Sequence, residues 1–397
     1  MLPGQTSMAL SGVRVLDLTR VRAGPACCRI FADFGADVIK IDATAGADRN
    51  EGMNGPRDGY DMLNLHRNKR SITLNLKNPE GLEVFFRMVR TADVVVENFR
   101  PDVKERLGIG YARLRAENPR IILASISGFG EDGPYVSLPG FDQIAQGMGG
   151  LMAVTGFPGQ GPVRAGAAIA DISAGLYAAI GTLIALQERA RSGEGQWVQS
   201  SLLAAQIALL DFQAARYLVD GVVPEQAGND HPYITPMGVF ASSDGFINLG
   251  VGGDGHWKSL CLTLDRPDWA ANPEYGTIAA RFRNRPEIRA MLEPVFAQKT
   301  SADWMRILAA AGVPVGPIYR MDEVFADPQV RHLGMAVPCQ HPTRGEVSLV
   351  GQPVKLTRTP AEMRSATPAE GEHTDSILAE LGFDPADVAR LRACGAV

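Results

Sequence analysis

Val13-Arg-Val-Leu-Asp-Leu18, the turn Arg20-Val-Arg-Ala-Gly-Pro25, a helical run from Ala26 to Phe34 and Ala36-Asp-Val-Ile-Lys-Ile41 read as strand, turn, helix, strand. The strands are short and rich in β-branched residues, and Gly35 punctuates the end of the helix. Such a β-α-β unit places its two strands parallel in one sheet. The pattern repeats downstream. Asn68-Lys-Arg-Ser-Ile-Thr-Leu-Asn-Leu76 sets two cations before an alternating strand. Asn78-Pro-Glu-Gly81 opens a helix to Arg90, with Asn as cap and Pro at the first helical position. Asp93–Asn98 and Pro119–Ile126 are further strands. An α/β fold with a mostly parallel sheet follows. The strand ends carry polar residues and glycines, as in Ser127-Gly-Phe-Gly-Glu-Asp-Gly-Pro134, and open α/β sheets bind ligands there. No GxGxxG fingerprint follows the first strand, so a dinucleotide-binding dehydrogenase has no support. The polar, glycine-rich loop from Asp42 to Tyr60 is long enough to cover something.

The chain has 397 residues, 45% hydrophobic and 21% charged, which is ordinary globular usage for two or three domains. A net charge of -5 without a basic tract argues against nucleic acid as a partner. Met1–Ser11 lacks a basic region followed by an apolar core, so no signal peptide is expected. Leu176–Leu186 is apolar but too short to span a bilayer, and no membrane partner is expected. The five cysteines are scattered without metal-ligand spacing, which fits reduced thiols and a cytoplasmic location.

From about Asp220 the texture changes to a turn-rich crossing. Phe240–Gly250 reads as a hairpin around Asp244-Gly245, followed by the glycine loop Val251-Gly-Gly-Asp-Gly255 and helices near His256, Pro286–Ala297 and Ser301–Ala311. Residues 225–325 are taken as a smaller α/β domain, after a first part at 1–224. Beyond it, Val347–Gly351 and Val354–Thr357 read as strands, and Asp375–Leu391 as helix with a break at Gly382–Pro385. One acid stands out in Gly166-Ala-Ala-Ile-Ala-Asp-Ile-Ser-Ala-Gly175, just ahead of the apolar helical run Ile172–Leu186. Asp171 reads as a helix cap. It reads also as a carboxylate nucleophile in a dry, glycine-lined pocket, kept charged by the helix terminus. The local sequence leaves both open.

The chain resembles the family III CoA-transferases, the CaiB/BaiF family that includes formyl-CoA transferase, and shares its fold with the α-methylacyl-CoA racemases. The likeness covers nearly the whole length. It rests on Leu10-Ser-Gly-Val-Arg-Val-Leu-Asp-Leu18, Ala23-Gly-Pro25, Phe31-Ala-Asp-Phe-Gly-Ala-Asp-Val-Ile-Lys40, Asn68-Lys-Arg-Ser-Ile72, Leu76-Lys-Asn-Pro-Glu-Gly81, Ala92-Asp-Val-Val-Val-Glu-Asn-Phe-Arg-Pro101, Arg106-Leu-Gly108 and Gly371-Glu-His-Thr-Asp-Ser-Ile-Leu378, in that order. The resemblance implies a Rossmann-like large domain built from both chain ends, with 326–397 returning to it. It also implies an interlocked homodimer.

For chemistry the resemblance implies that Asp171 attacks an acyl-CoA thioester. An acyl-aspartyl anhydride and then an aspartyl-CoA thioester follow, and CoA passes to a small mono- or dicarboxylic acid. Coenzyme A thioester is then a substrate, and no permanently bound cofactor or metal is expected. The racemases carry a proton-transferring His where this chain has Phe141, followed by Asp142; none of the six His stands in that stretch. This favours the transferase over a 2-methylacyl-CoA racemase, and Asp171 with the glycine loop argues against a non-catalytic CoA-binding protein. Asp142 reads as an active-site border or as a helix cap. Formyl-CoA transferase has Gln where Arg22 stands; an Arg there suits a substrate carboxylate, and it reads also as a phosphate contact or a surface salt bridge. Ala23, Lys40, Lys69, Arg70, Asn98, Phe99 and Arg106 are the expected CoA contacts, and Gly252-Gly253 the expected cover over the intermediate.

Overall fold

The computed structural model describes residues 8–44 and 55–397. The start of the chain, read above as free of a signal peptide, and the middle of the loop read as a cover lie partly outside the described residues. Two compact units emerge. The first joins Met1–Leu151, Ala165–Ala215 and Gln329–Val397, and the second Met152–Arg164 and Arg216–Pro328.

The first unit runs β1 (Arg14–Asp17), α1 (Ala23–Asp33), β2 (Asp37–Asp42), α2 (Tyr60–His66), β3 (Arg70–Thr73), α3 (Pro79–Val89), β4 (Val94–Glu97), α4 (Pro101–Arg106), α5 (Tyr111–Glu117) and β5 (Ile122–Ser127). It continues through α6 (Asp142–Met148), α7 (Leu151–Val154), which reaches into the second unit, α8 (Ile169–Ser192), β6 (Trp197–Ser201) and α9 (Leu202–Leu209). The six strands form one sheet in the order β3-β2-β1-β4-β5-β6. Every neighbouring pair is parallel. The order reverses between β1 and β4, a switch point where doubly wound sheets leave a crevice at their strand ends.

Side-chain alternation sorts the two faces. Val15, Val38, Val94 and Ile122 meet the small residues of α1 and α8, among them Ala170, Ala174 and Ala178. Leu16, Ile39, Val95 and Leu123 meet the bulkier Phe85, Met88 and Ile109, together with Ile377, Leu378 and Leu391 from the C-terminal helices Thr374–Glu380 and Pro385–Ala393. Both chain ends therefore build the large domain. Backbone bonds tie the return, with His373 N donating to Ser71 O at 2.9 Å and Asn75 N to Ala396 O at 2.9 Å.

Several local expectations shift. Helix α1 starts at Ala23 rather than Ala26, because Pro25 is tolerated in a first turn whose N–H groups lack partners anyway. Helices α6 and α7 are separated at Gly149-Gly150, where Gly150 has φ +86°. Helix α8 spans 24 residues, long and apolar enough by itself to cross a bilayer, but its alanine face is buried in the core. Val354–Thr357 forms no strand. Instead Ala336–His341 pairs antiparallel with Gly345–Val350.

The second unit holds an antiparallel sheet of Met237–Ala241, Phe246–Gly250 and Val315–Gly316. Trp257, Leu260, Ile288, Leu292, Phe296, Trp304 and Leu308 form its core. Its smaller mixed architecture matches the α/β middle domain in class.

One close approach sets where α8 begins. A Cβ added at Gly175 would stand 2.3 Å from the Ala23 carbonyl oxygen, a backbone atom of α1 that cannot step aside. Glycine lets α8 cross α1 at that distance and carries Asp171, one turn earlier, to the strand ends. Gly175→Ala gains up to about 1 kcal/mol of helix propensity and loses about 1–3 kcal/mol to overpacking. The expected outcome is a lower midpoint in chemical denaturation; a higher midpoint would contradict the crossing.

Candidate active site

The carboxyl ends of β1, β2, β4 and β5 border a cleft of about 1110 Å³. Arg22, Ala23, Lys40, Asn98, Phe99, Arg106, Phe141 and Asp171 all line it. The cleft thus brings together residues as far apart as Arg22 and Asp171, 149 positions away.

Asp171 lies in the first turn of α8 but does not cap it. Ala168 holds the capping position without a side-chain bond. Asp142 supplies the cap from α6: its Oδ1 accepts from Ala170 N at 2.9 Å and from Asp171 N at 3.2 Å. The other carboxylate oxygen accepts from Gln146 Nε2 at 2.6 Å, and Gln146 in turn accepts from Ala165 N at 2.9 Å. The Asp171 carboxylate is left free to face the cleft. Burial and the neighbouring Asp142 charge push it up to about 6, while Arg22 pulls it back. The expectation that the helix terminus dominates its charge is corrected, because Asp142 has taken those N–H groups. Asp171 remains mainly ionised at neutral pH.

Arg22 precedes α1 and follows Val21, a β-branched residue held at φ +61°. Asn98 fixes this turn from both sides, its Oδ1 accepting from Arg20 N and its Nδ2 donating to Arg20 O, each at 2.8 Å. Asn98 therefore works as a backbone clamp as well as a cleft residue. The Arg22 guanidinium forms a two-point pair with Asp61 at 3.1 and 2.6 Å.

Lys40 reaches Ile41 O at 3.0 Å and Asp42 at 3.5 Å. Arg106 is mostly exposed and paired only loosely with Asp102 at 3.2 Å. Phe99 carries the Arg20 guanidinium 6.0 Å from its ring centre. Phe141 is exposed at the start of α6.

Two of the expected CoA contacts do not join the cleft lining. Lys69 is sealed in the interior, its Nζ donating to Asp17 at 2.8 Å, with 0% of either side chain exposed. Burial alone would raise Asp17, but the Lys69 and Lys40 charges hold it well below the carboxylate range. Arg70 bonds Asp37 at 2.8 Å and Glu380 at 2.6 Å, tying β2 and the C-terminal helix. Both cations serve the fold. Gly252 and Gly253 lie in the second unit, after the strand Phe246–Gly250. An added Cβ at Gly253 would meet nothing within 4 Å, and at Gly252 only the Met237 methyl at 3.7 Å, so the unit itself does not demand glycine.

Reading the sequence missed Asp61 and His66. His66 lines the cleft and is 2% exposed. Its Nδ1 lies 3.2 Å from Lys69 Nζ; an ammonium can only donate, so the ring proton sits on Nε2. Burial and then Lys69 hold its pKa well below the usual histidine range, so it stays neutral. Neither residue had a local signal, because each acquires its role from partners brought in by tertiary structure. Among the described residues no group of three or more His, Cys, Asp or Glu is placed to hold a metal ion.

Comparison with known proteins places this architecture. The family described as CoA-transferase family III matches residues 10–374. Succinate–glutarate CoA-transferase of Agrobacterium fabrum is 40% identical over 381 residues, which cover 94% of this chain and 95% of the relative. Succinyl-CoA:glutarate CoA-transferase of Homo sapiens is 35% identical over 392 residues, covering 98% and 90%. The crystal structure of a CaiB/BaiF family protein from Brucella suis has a TM-score of 0.82 and 37% identity, covering 95% of this chain and 100% of that one. With its parallel sheet, its strand-end cleft and these relatives, the chain belongs to the family III CoA-transferases, enzymes that move CoA between an acyl-CoA and a carboxylate.

Proposed function

We propose that the enzyme transfers CoA between small dicarboxylic acids, with Asp171 as the nucleophile. The observation that carries this is one free carboxylate in the cleft, Asp171, within electrostatic reach of a guanidinium, Arg22, that a second carboxylate can occupy. Two of the relatives are named as CoA-transferases for succinate or succinyl-CoA and glutarate, which agrees with a charged distal group.

Each step balances without an added reactant. The Asp171 carboxylate attacks the thioester carbonyl, the C–S bond breaks, and an acyl-aspartyl anhydride and CoA thiolate form. The thiolate attacks the aspartyl carbonyl carbon, the anhydride C–O bond breaks, and the donor acid leaves as its carboxylate. The acceptor carboxylate attacks the aspartyl-CoA thioester and expels the thiolate again. Attack of that thiolate on the acceptor carbonyl forms the new thioester and restores Asp171. Arg22 holds the distal carboxylate of the acyl group in this reading. Lys40 and Arg106 meet CoA phosphates, while Ala23, Asn98 and Phe99 border the pantetheine and adenine portions. Asp142 positions the nucleophile through the α8 cap, and Phe141 borders the acyl group.

The same reading includes an interlocked homodimer and a cytoplasmic location. Supporting the dimer, Leu176, Tyr177, Ile180, Leu183 and Ile184 leave an apolar stripe exposed along α8.

Four outcomes are expected. Mixing the protein with a panel of acyl-CoAs and free acids gives new CoA esters by mass spectrometry, with succinate and glutarate among the best acceptors. Asp171→Ala abolishes them, and ester formation surviving that change would reject the nucleophile. The kcat/KM falls as pH drops through about 6, because protonated Asp171 cannot attack. Interlocked chains cannot exchange without unfolding, so tagged and untagged dimers mixed under native conditions stay unmixed; free exchange, or a monomer by light scattering, rejects the interlocked assembly.

A further inference from the structure

Arg22 is delivered to the cleft at a cost. Val21 adopts the left-handed region that β-branched residues avoid, and the Asn98 clamp on Arg20 holds the turn in that state. Such strain persists where the surrounding structure over-determines it, and here it fixes the point from which the guanidinium projects. The guanidinium then meets Asp61 in a two-point pair, the geometry a free carboxylate would adopt.

The Arg22–Asp61 pair differs from its neighbours in accessibility. Its side chains are 32% and 33% exposed. The pairs Lys69–Asp17 and Arg67–Asp33 are sealed, at 0% and 0% and at 2% and 3%. Asp33 also accepts from Asn68 and Gln352, and Asp17 from Thr19, so those acids are tied several times over. Among the described residues Asp61 accepts from Arg22 alone. A half-exposed pair shifts an equilibrium by a factor of about five at most, whereas opening a sealed pair strands a buried charge. A second carboxylate can therefore replace Asp61 on Arg22 at small cost.

We propose that Asp61 is an internal stand-in for the distal carboxylate of a dicarboxylic substrate. It keeps Arg22 paired when the cleft holds no such group and gives way when the substrate carboxylate arrives. Asp61 then competes with dicarboxylic acids and leaves Arg22 satisfied when a monocarboxylic acid binds. It moderates the enzyme's preference between the two classes. The inference rests on reading Arg22 as the substrate-carboxylate contact.

The test uses glutarate and pentanoate, acceptors of equal carbon count, with the donor acyl-CoA that the transfer assay identifies. The readout is the ratio of their kcat/KM values. In Asp61→Asn the ratio of glutarate to pentanoate rises by about two- to fivefold, because the competitor is gone. Asp61→Ala, which removes the accepting oxygen as well, shifts it in the same direction. In Arg22→Gln the ratio falls by roughly tenfold or more, as expected when a charged two-point contact is lost. If Arg22→Gln collapses the ratio while the Asp61 variants lower it or leave it unmoved, Asp61 merely positions Arg22 and the stand-in is overturned. If Arg22→Gln leaves the ratio unmoved, the dicarboxylate reading of Arg22 fails with it.

Discussion

A carboxylate on one helix answers the open N–H groups of another, and the site hangs on that bond. The first turn of any helix carries donors without partners. In α8 the Asp142 carboxylate takes two of them, at Ala170 and Asp171, from the start of α6. Three consequences follow. Helices α6 and α8 are locked end to end. The Asp171 side chain is spared the capping duty that its position invites. A second negative charge is fixed beside it, and that charge, added to burial, raises its proton affinity. Gln146 extends the same network back to Ala165 and Ala167, so the approach to α8 is fixed as well as its first turn.

The cations of the first unit fall into two groups that sequence does not separate. Lys69 and Arg67 are sealed against Asp17 and Asp33. Asn68, between them in sequence, docks the returning C-terminal segment by accepting from Arg364 N at 2.7 Å. Arg22 and Arg106 keep a substantial part of their surface. Burial decides the difference. A cation that has surrendered its water to one acid is costly to detach, and one that still meets solvent can change partners.

The strands were legible because a buried parallel strand must be apolar on both faces, and Val94-Val-Val and Ile122-Leu-Ala are. Their parallel pairing followed from the intervening helices. The candidate nucleophile was legible through its family setting, whereas Asp171 by itself left two readings open. What escaped were features made by distant partners. The Asp142 cap spans 28 residues and the Arg22–Asp61 pair spans 39. Lys69 was misread for the same reason, since a lysine before a strand carries no mark of the acid that buries it. The strand Ala336–His341 escaped because Pro338 interrupts its pattern, and an edge position in a two-stranded ribbon tolerates that proline.

The raised proton affinity of Asp171 links stability to chemistry. Its folded value lies above that of an exposed carboxylate, so the folded chain binds the proton more tightly than the unfolded one. Stability from this group is complete below the ordinary carboxylate range and is lost as pH rises towards about 6. At neutral pH the ionised acid is a liability that the surrounding core must offset. In the proposed anhydride route that liability is useful. A more basic carboxylate is the better nucleophile towards the thioester, yet it leaves the anhydride less readily. Without Arg22, burial and the Asp142 charge would carry Asp171 further in the same direction. Arg22, held by strained Val21 and shared with Asp61, checks that drift, so the proposed contact for a substrate carboxylate also tunes the proposed nucleophile.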